Sequence, residues 1–464
     1  MHLADRYARW LEGGFVAEAP PLRVARELPD VELQALWMGV EFGREFVTTS
    51  GGPLRMERFG AWNAGPGPHF TGAQIAFGNA RVRGGVAVHW NAAEWDREAA
   101  SSPDYEGTIL HVFAREVARE RGAPVPASCT ALGREVPQVW LDMSRYAYLP
   151  VSPRPDAPAV CREALAALPE PRVLELVEAA AQYRLCRKAA RLERLRAEFG
   201  PGEALYQCVA EALGYRANKL PMLLLAQRFP LALLRAQRGE IEPLLFAGSG
   251  FLNATDLSPL PGDTRGYLRG VWTQWWPRRT EYERLTLPAK LWNLRGVRPV
   301  NHPQRRVAAL AEIARHWPVL ETLARSANAE GLRRFFGQLS HDYWDRHYTL
   351  TSQRSAARMA LVGETRAADL LVNVFFPGAL AAAPQFWETY RSLPAPDSNR
   401  RVEGAARRLF GPGPLARKLG GMAMTQQGLL QLDEDFCTAC DGNCARCALP
   451  ERLDHWSDGA GYGG

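Results

Sequence analysis

The spacing of apolar and polar residues divides the chain into a strand-like first third and a helix-like remainder. Before about Pro150 the period is two. Pro53 to Phe59 (PLRMERF), Ala73 to Phe77 and Val82 to Val88 alternate, as half-buried strands do. GTILHVFA and VPQVWLDM are short unbroken apolar runs, which suits buried strands. The stretch from Gly65 to Trp90, GPGPHFTGAQIAFGNARVRGGVAVHW, reads as a turn, an alternating strand, a Gly-Gly hairpin and a second strand. One helical stripe, around Val31 to Phe42, precedes these strands. Hairpins without regular strand–helix alternation predict an α+β unit with a mixed sheet.

A Pro-rich boundary, LPVSPRPDAPAV, follows, and the period then becomes helical. AALPEPRVLELVEAAAQYRLCRKAARLERLRAEF is a long amphipathic stretch, and GEALYQCVAEALGY with LPMLLLAQRFPLALLRAQ predicts a helix pair. RRVAALAEIARHWPVLETLA and TRAADLLVNVFFPGALAAA predict later helices, and no repeat of fixed period emerges. The reading is an α+β domain over 1–150, a Pro-rich boundary and helical connector over 151–200, a mainly helical domain over 201–431, and a Cys-rich tail over 432–464.

Composition adds little to this picture, but the placement of charge adds more. The 464 residues are 47% hydrophobic and 23% charged, ordinary values for a globular protein. The net charge is +6, yet residues 264–306 alone hold ten Arg/Lys against two Glu. In that segment Tyr267, Trp272, Trp275, Trp276, Tyr282 and Trp292 interleave with the arginines. Guanidinium groups grip phosphates and aromatic faces stack on unpaired bases, so the composition suits a nucleic-acid groove. Arg278, Arg279, Arg295, Arg298, Asn301, His302, Arg305 and Arg306 are the candidate contacts, the last five presented by the Pro-pinned loop GVRPVNHPQRR. The competing reading puts the tryptophans in a core and the arginines on a helix face.

No run reaches the ~20 apolar residues that span a bilayer, and MHLADRYARWLEGG lacks the pattern of a secretory signal. The expectation is a cytoplasmic protein without a membrane partner. Cys129, Cys161, Cys186 and Cys208 are scattered, as buried thiols in a reducing compartment are. The other four crowd into FCTACDGNCARCAL, where Cys437, Cys440, Cys444 and Cys447 form C-x2-C-x3-C-x2-C. Four clustered thiols favour a structural metal: zinc on four thiolates, or alternatively an iron–sulfur cluster. A Cys-rich loop without metal is the plain reading. YWDRHYTL adds Asp345 and His347, with no nucleophile motif to accompany them. No GxGxxG or phosphate-binding loop occurs.

GAWNAGPGPHFTGAQI, VAVHW, GTILHVF, EALGYRANKLPMLLLA, IEPLLFAGSGFL, LWNLRGVRPVNHPQRRVAALA, YWDRHYTL, LLVNVFFPGAL and TQQGLLQL occur in order along the chain. Together they resemble the bacterial family catalogued as domain of unknown function 2851. The family pattern GPDF reads GPHF here, and VEIH reads VAVH. A carboxylate before one strand and another on the next also resembles a PD-(D/E)xK nuclease site, where acidic oxygens hold a divalent ion. That weaker resemblance implies a nuclease-like sheet in which His69 and Ala87 have replaced both carboxylates. The resemblance to the uncharacterised family also implies that relatives share three of the tail cysteines, with Cys440 the extra one, which leaves room for a ligand from elsewhere.

The expected function is therefore nucleic-acid binding with a degenerate, inactive nuclease-like domain. One alternative is a scaffold that binds other proteins through the helical domain. Another is a metal-dependent nuclease or hydrolase in which His69, His89 and Glu94 replace the usual carboxylates. On the plain reading, His69 and His89 are packed hairpin histidines.

Overall fold

Nine strands and a long series of helices make up the structure, a computed structural model that describes residues 2–12, 29–115, 126–143, 160–237, 239–252, 257–326, 328–379, 386–395, 400–438, 444 and 447–457. The strands are β1 (Glu45–Val47), β2 (Pro53–Arg58), β3 (Ala61–Trp62), β4 (Phe70–Phe77), β5 (Ala80–Asn91), β6 (Thr108–Arg115), β7 (Ser128–Cys129), β8 (Glu135–Val136) and β9 (Gln138–Trp140). Seven form one sheet in the order β1-β2-β4-β5-β6-β9, with β3 beside β4, and β7 and β8 pair separately. β1 to β5 run antiparallel, whereas β5, β6 and β9 are mutually parallel. The N-terminal sheet is thus mixed, and a mostly helical region follows it.

The period of two in β5 decides what faces where. Val86, Val88 and Trp90 point into an apolar cluster with the helix Asp30–Met38 and with Leu110 and Val112 of β6. Ala87 points the other way, into a small cluster with Trp95, Ala99, Tyr105 and Val136. His89, two residues on, shares that second face. The helix Glu94–Glu98 lies in the crossover between the parallel strands β5 and β6 and covers this face.

The hairpin turn is not at Gly84-Gly85, where the sequence suggested it. Phe77 pairs with Ala80, and Gly78 takes φ +55° in the turn between them. Gly84 and Gly85 lie inside β5 because neighbours approach too closely for a side chain. A Cβ on Gly85 would stand 2.3 Å from Pro68 Cγ, and one on Gly84 would stand 2.5 Å from the Gly107 carbonyl oxygen.

Helices Glu170–Phe199, Pro201–Leu213 and Tyr215–Arg228 begin the helical region, and Asn218 breaks the last one with non-helical angles ahead of Pro221. Their apolar faces form the largest core, which also takes in Ala35 from the first region. Glu198 joins the two regions, since it pairs with Arg44 at 2.6 Å and accepts from the Phe59 N–H at 2.8 Å. A separate core gathers the helix His2–Glu12, the helix Cys161–Ala167 and described residues between Val402 and Trp456. Residues 2–12 therefore pack on the tail, where Trp10 Nε1 donates to the Arg452 carbonyl at 2.8 Å. Most of the Pro-rich boundary lies outside the described residues. Among those described, no helix is long and apolar enough to cross a membrane.

Candidate active site

His69 stands just before β4 and His89 near the end of β5, so antiparallel pairing brings them together with ring centroids 5.0 Å apart. Glu98 reaches in from the last turn of the helix Glu94–Glu98. One ligand-type atom from each of His69, His89 and Glu98 lies within 4.8 Å of the others, the one such trio of His, Cys, Asp or Glu among the described residues. His89 is 1% exposed and Glu98 51%, so the site has a buried floor and an open mouth.

His89 is engaged at both ring nitrogens. Nε2 lies 3.3 Å from Glu98 Oε2, and Nδ1 lies 3.1 Å from Nε2 of His111 on β6. Behind them, His111 Nδ1 is 2.7 Å from Ser128 Oγ, and Ser128 Oγ accepts from Gln138 Nε2 at 2.8 Å. Register explains the stacking of these groups, because His111 is directly opposite Ala87 on the face that His89 shares. His111, Ser128 and Gln138 are all buried.

The Glu98 end sets the polarity of this chain. The hydrogen bond from His89 holds the Glu98 carboxyl below its usual range, so it is an acceptor. Its partner nitrogen then carries the proton: His89 Nε2–H donates to Glu98, His111 Nε2–H donates to His89 Nδ1, and the Ser128 hydroxyl donates to His111 Nδ1. With no change in proton count, both rings can switch tautomer and turn the His89 Nε2 lone pair toward the mouth. Burial pushes His111 well below the usual imidazole range, with His89 and His69 adding to the shift, so His111 stays neutral in either arrangement.

His69 is fixed differently. Its Nδ1 accepts from the Val88 backbone N–H at 3.0 Å. The neutral ring therefore carries its proton on Nε2. Burial first, and then neighbouring His89, lower its pKa to about 3. His69 is thus a permanent neutral N–H donor at physiological pH.

This arrangement tests the fit of a metal. Two imidazoles and a carboxylate can hold zinc, each imidazole through a lone pair. His69 already spends its one lone pair on Val88, and coordination would strand that N–H. The trio does not fit a three-ligand metal site.

Glu94 is not part of the trio. Burial raises its pKa, and Asp30 adds to the shift, while Asp30 itself accepts from the Trp90 N–H at 2.5 Å. The acid that reaches His89 is Glu98, one turn further along the helix. Glu98, His111, Ser128 and Gln138 escaped the sequence reading. A histidine inside the apolar run GTILHVFA was the available signal.

The candidate nucleic-acid contacts do not converge. Arg305 is 0% exposed and donates to the carbonyls of Trp344, His347 and Ala360. Arg306 is buried and donates to the Val300 carbonyl, and burial holds its pKa at about 10. His302 is buried, with its pKa lowered to about 4, and Asn301 accepts from the Tyr215 hydroxyl at 2.5 Å. His302, Arg305 and Arg306 brace the start of the helix Pro303–Arg315, and burial keeps their side chains from a phosphate, whereas Asn301 is half-buried. Arg278 pairs with Glu240 and Glu281. Arg295 and Arg298 are exposed, and Arg279 lies 3.7 Å above the ring of Trp276, which is 53% exposed. Trp275, Tyr282 and Trp292 belong to the core.

In the tail, Cys437 is buried in the second core, Cys444 and Cys447 pack against it, and Cys161 belongs to the same cluster. Cys440 lies outside the described residues. Asp345 of YWDRHYTL pairs with Arg358 at 2.6 Å, while His347 faces Asp263 at 2.9 Å. The two therefore do not act as a pair.

Fold and site together define an α+β protein with a half-open cluster of three histidines and one glutamate on the covered face of its sheet. A family model, described as protein of unknown function (DUF2851), matches residues 31–390, and the chain belongs to that family. No curated protein and no solved structure matches it.

Proposed function

We propose that the chain is a hydrolase that works by metal-free acid–base chemistry at His69, His89 and Glu98. One observation carries this reading: His89 joins the exposed Glu98 carboxylate to a buried relay through His111 to Ser128. The roles follow from the protonation states. Glu98, charged and at the mouth, takes a proton from an attacking water and returns it to the leaving group. His69 donates its N–H to the oxygen on which charge develops, as a neutral imidazole can. His89 holds Glu98 in place and can switch tautomer with His111 as that proton comes and goes.

Divalent-ion nuclease chemistry of the PD-(D/E)xK kind is not part of this proposal. Ala87 is fully buried against Trp95, and His69 is committed to Val88. The nuclease-like sheet is proposed as an architecture that has exchanged carboxylates for imidazoles. The test is a panel of chromogenic esters and phosphodiesters. Glu98→Gln is expected to lower the rate by about 10²–10⁴-fold with folding intact. Equal rates in the two proteins would refute the reading.

A second reading, nucleic-acid binding, is favoured by the exposed Arg295 and Arg298 and by the Arg279–Trp276 stack. For the tail we propose a structural metal held by thiolates, with Cys161 as a ligand from outside the tail. Support comes from the shared cluster of Cys161 and Cys437, with Cys444 and Cys447 against it. Burial pushes the Cys437 thiol up to about 12, so a bound cation is what would hold it as thiolate.

A further inference from the structure

The relay behind His89 ends on a side chain that has no freedom to turn. Gln138 opens β9, and its Nε2 donates both hydrogens, one to the Pro126 carbonyl and one to Ser128 Oγ, each at 2.8 Å. The Thr49 hydroxyl donates to Gln138 Oε1 at 3.2 Å. A carbonyl can only accept, so turning the amide over would set Oε1 against the Pro126 oxygen. The backbone holds the same place. The Thr49 N–H donates to the Gln138 carbonyl at 2.9 Å, and Thr48 bridges Val139, so the edge strands β1 and β9 meet here.

This clamp leaves Ser128 one direction. Its Oγ accepts from Gln138, and its hydroxyl hydrogen goes to His111 Nδ1 at 2.7 Å. A neutral ring that accepts at Nδ1 carries its proton on Nε2. His111 Nε2–H then donates to His89 Nδ1, and His89 Nε2–H points at Glu98. The buried end thus dictates the direction of the relay independently of the Glu98 charge. In the reversed arrangement Ser128 Oγ accepts from both Gln138 and His111, and its hydroxyl hydrogen has no other partner among the described residues. Ser128 is 3% exposed, and a buried hydroxyl deprived of its acceptor is unfavourable.

We infer that Gln138 is a positioning residue that keeps the His89 Nε2–H aimed at Glu98 after Glu98 has taken up a proton. Its part in turnover rests on the hydrolytic reading above. Once Glu98 is a neutral acid, its charge no longer orients His89, and a reversed His89 offers a lone pair to the same proton. With the relay held, that proton stays on Glu98 and returns to the leaving group. A tautomer switch is then a brief excursion that Gln138 reverses. Gln138 itself is separated from Glu98 by a hydroxyl and two rings, and it touches no reacting atom.

Tautomers are read by NMR of the ring nitrogens in the full chain, because a nitrogen with a proton and one without resonate far apart. The signals are assigned with His89→Gln and His111→Gln. Spectra are taken at about pH 8, above the usual imidazole pKa of about 6.5. Glu98→Gln places a neutral group that both donates and accepts at the open end, so that end no longer dictates a direction. In that variant both rings are expected to keep a bare Nδ1 and a protonated Nε2. Adding Gln138→Leu should give intermediate, averaged shifts at both rings, with the melting curve showing a folded protein. Should that pair not fold, Gln138→Met takes the place of Gln138→Leu. Averaged or reversed tautomers in Glu98→Gln alone overturn the inference, as do unchanged shifts once Gln138 is replaced. Tautomers held as expected in a chain that hydrolyses no ester or phosphodiester would sink the hydrolytic reading alone. Hydrolysis by the wild-type chain, with averaged tautomers in Glu98→Gln, would sink this inference alone.

Discussion

A ring nitrogen that accepts from the backbone cannot also hold a proton or a metal, and this restriction on His69 shapes the whole site. His302 shows the same economy of protons and gives a clean pH signature. Its ring titrates near 4 in the folded chain, because of burial, against about 6.5 when exposed. Between those values the unfolded chain binds the extra proton. This contribution to stability is therefore complete above the unfolded pKa and declines as pH falls toward the folded one. His302→Gln should flatten the fall in denaturation free energy from pH 6.5 to pH 4 by at most about 1.4 kcal/mol per pH unit. Parallel pH profiles for the two proteins would contradict the assignment.

At the scale of elements, β5 carries the site. Its alternation sends Val86 and Val88 to one core and Ala87 and His89 to the other face. Gly85→Ala would drive a methyl into Pro68, the residue before His69. Thermal melts should show a loss of about 1–3 kcal/mol, with a matching loss of turnover as His69 is displaced. A neutral result would mean that Pro68 does not hold His69 in place.

Strand β5 with its His89, and His69 just before β4, were legible because a period of two is written in local sequence. The position of the turn was not, since Gly-Gly suits both a tight turn and a close approach between strands. His111 was hidden for another reason. A parallel strand covered on both faces reads as an apolar run, and its one polar side chain gains meaning only when register sets it opposite Ala87. The helix Glu94–Glu98 was legible only as a source of acids. Which carboxyl meets His89 depends on where Asp30 lies, and Asp30 comes from a distant helix.

Across the whole molecule, the Arg-rich segment shows the limit of composition. Arg305 and Arg306 are consecutive in a basic run, yet carbonyls from residues 300, 344, 347 and 360 make them interior braces. Nothing local announces those partners. The nucleic-acid reading therefore narrows to Arg279, Arg295, Arg298 and Trp276. Replacing Arg295 and Arg298 by Gln should weaken any single-strand binding and reduce the salt slope by about two. An unchanged slope would remove those residues from the reading.

The second core ties the first helix to the tail, so a metal there would brace both chain ends. Elemental analysis with a visible spectrum is expected to find bound zinc or iron that Cys161→Ser diminishes. Metal-free protein, or full loading in the variant, would contradict the thiolate proposal.

The most direct test of the central claim is the rate of ester or phosphodiester hydrolysis by the wild-type chain after exhaustive chelation. The histidine–glutamate chemistry predicts that turnover survives chelation and falls by about 10²–10⁴-fold in Glu98→Gln. Turnover that stops on chelation and returns with an added divalent ion would show that a metal, and not the N–H of His69, carries the reaction.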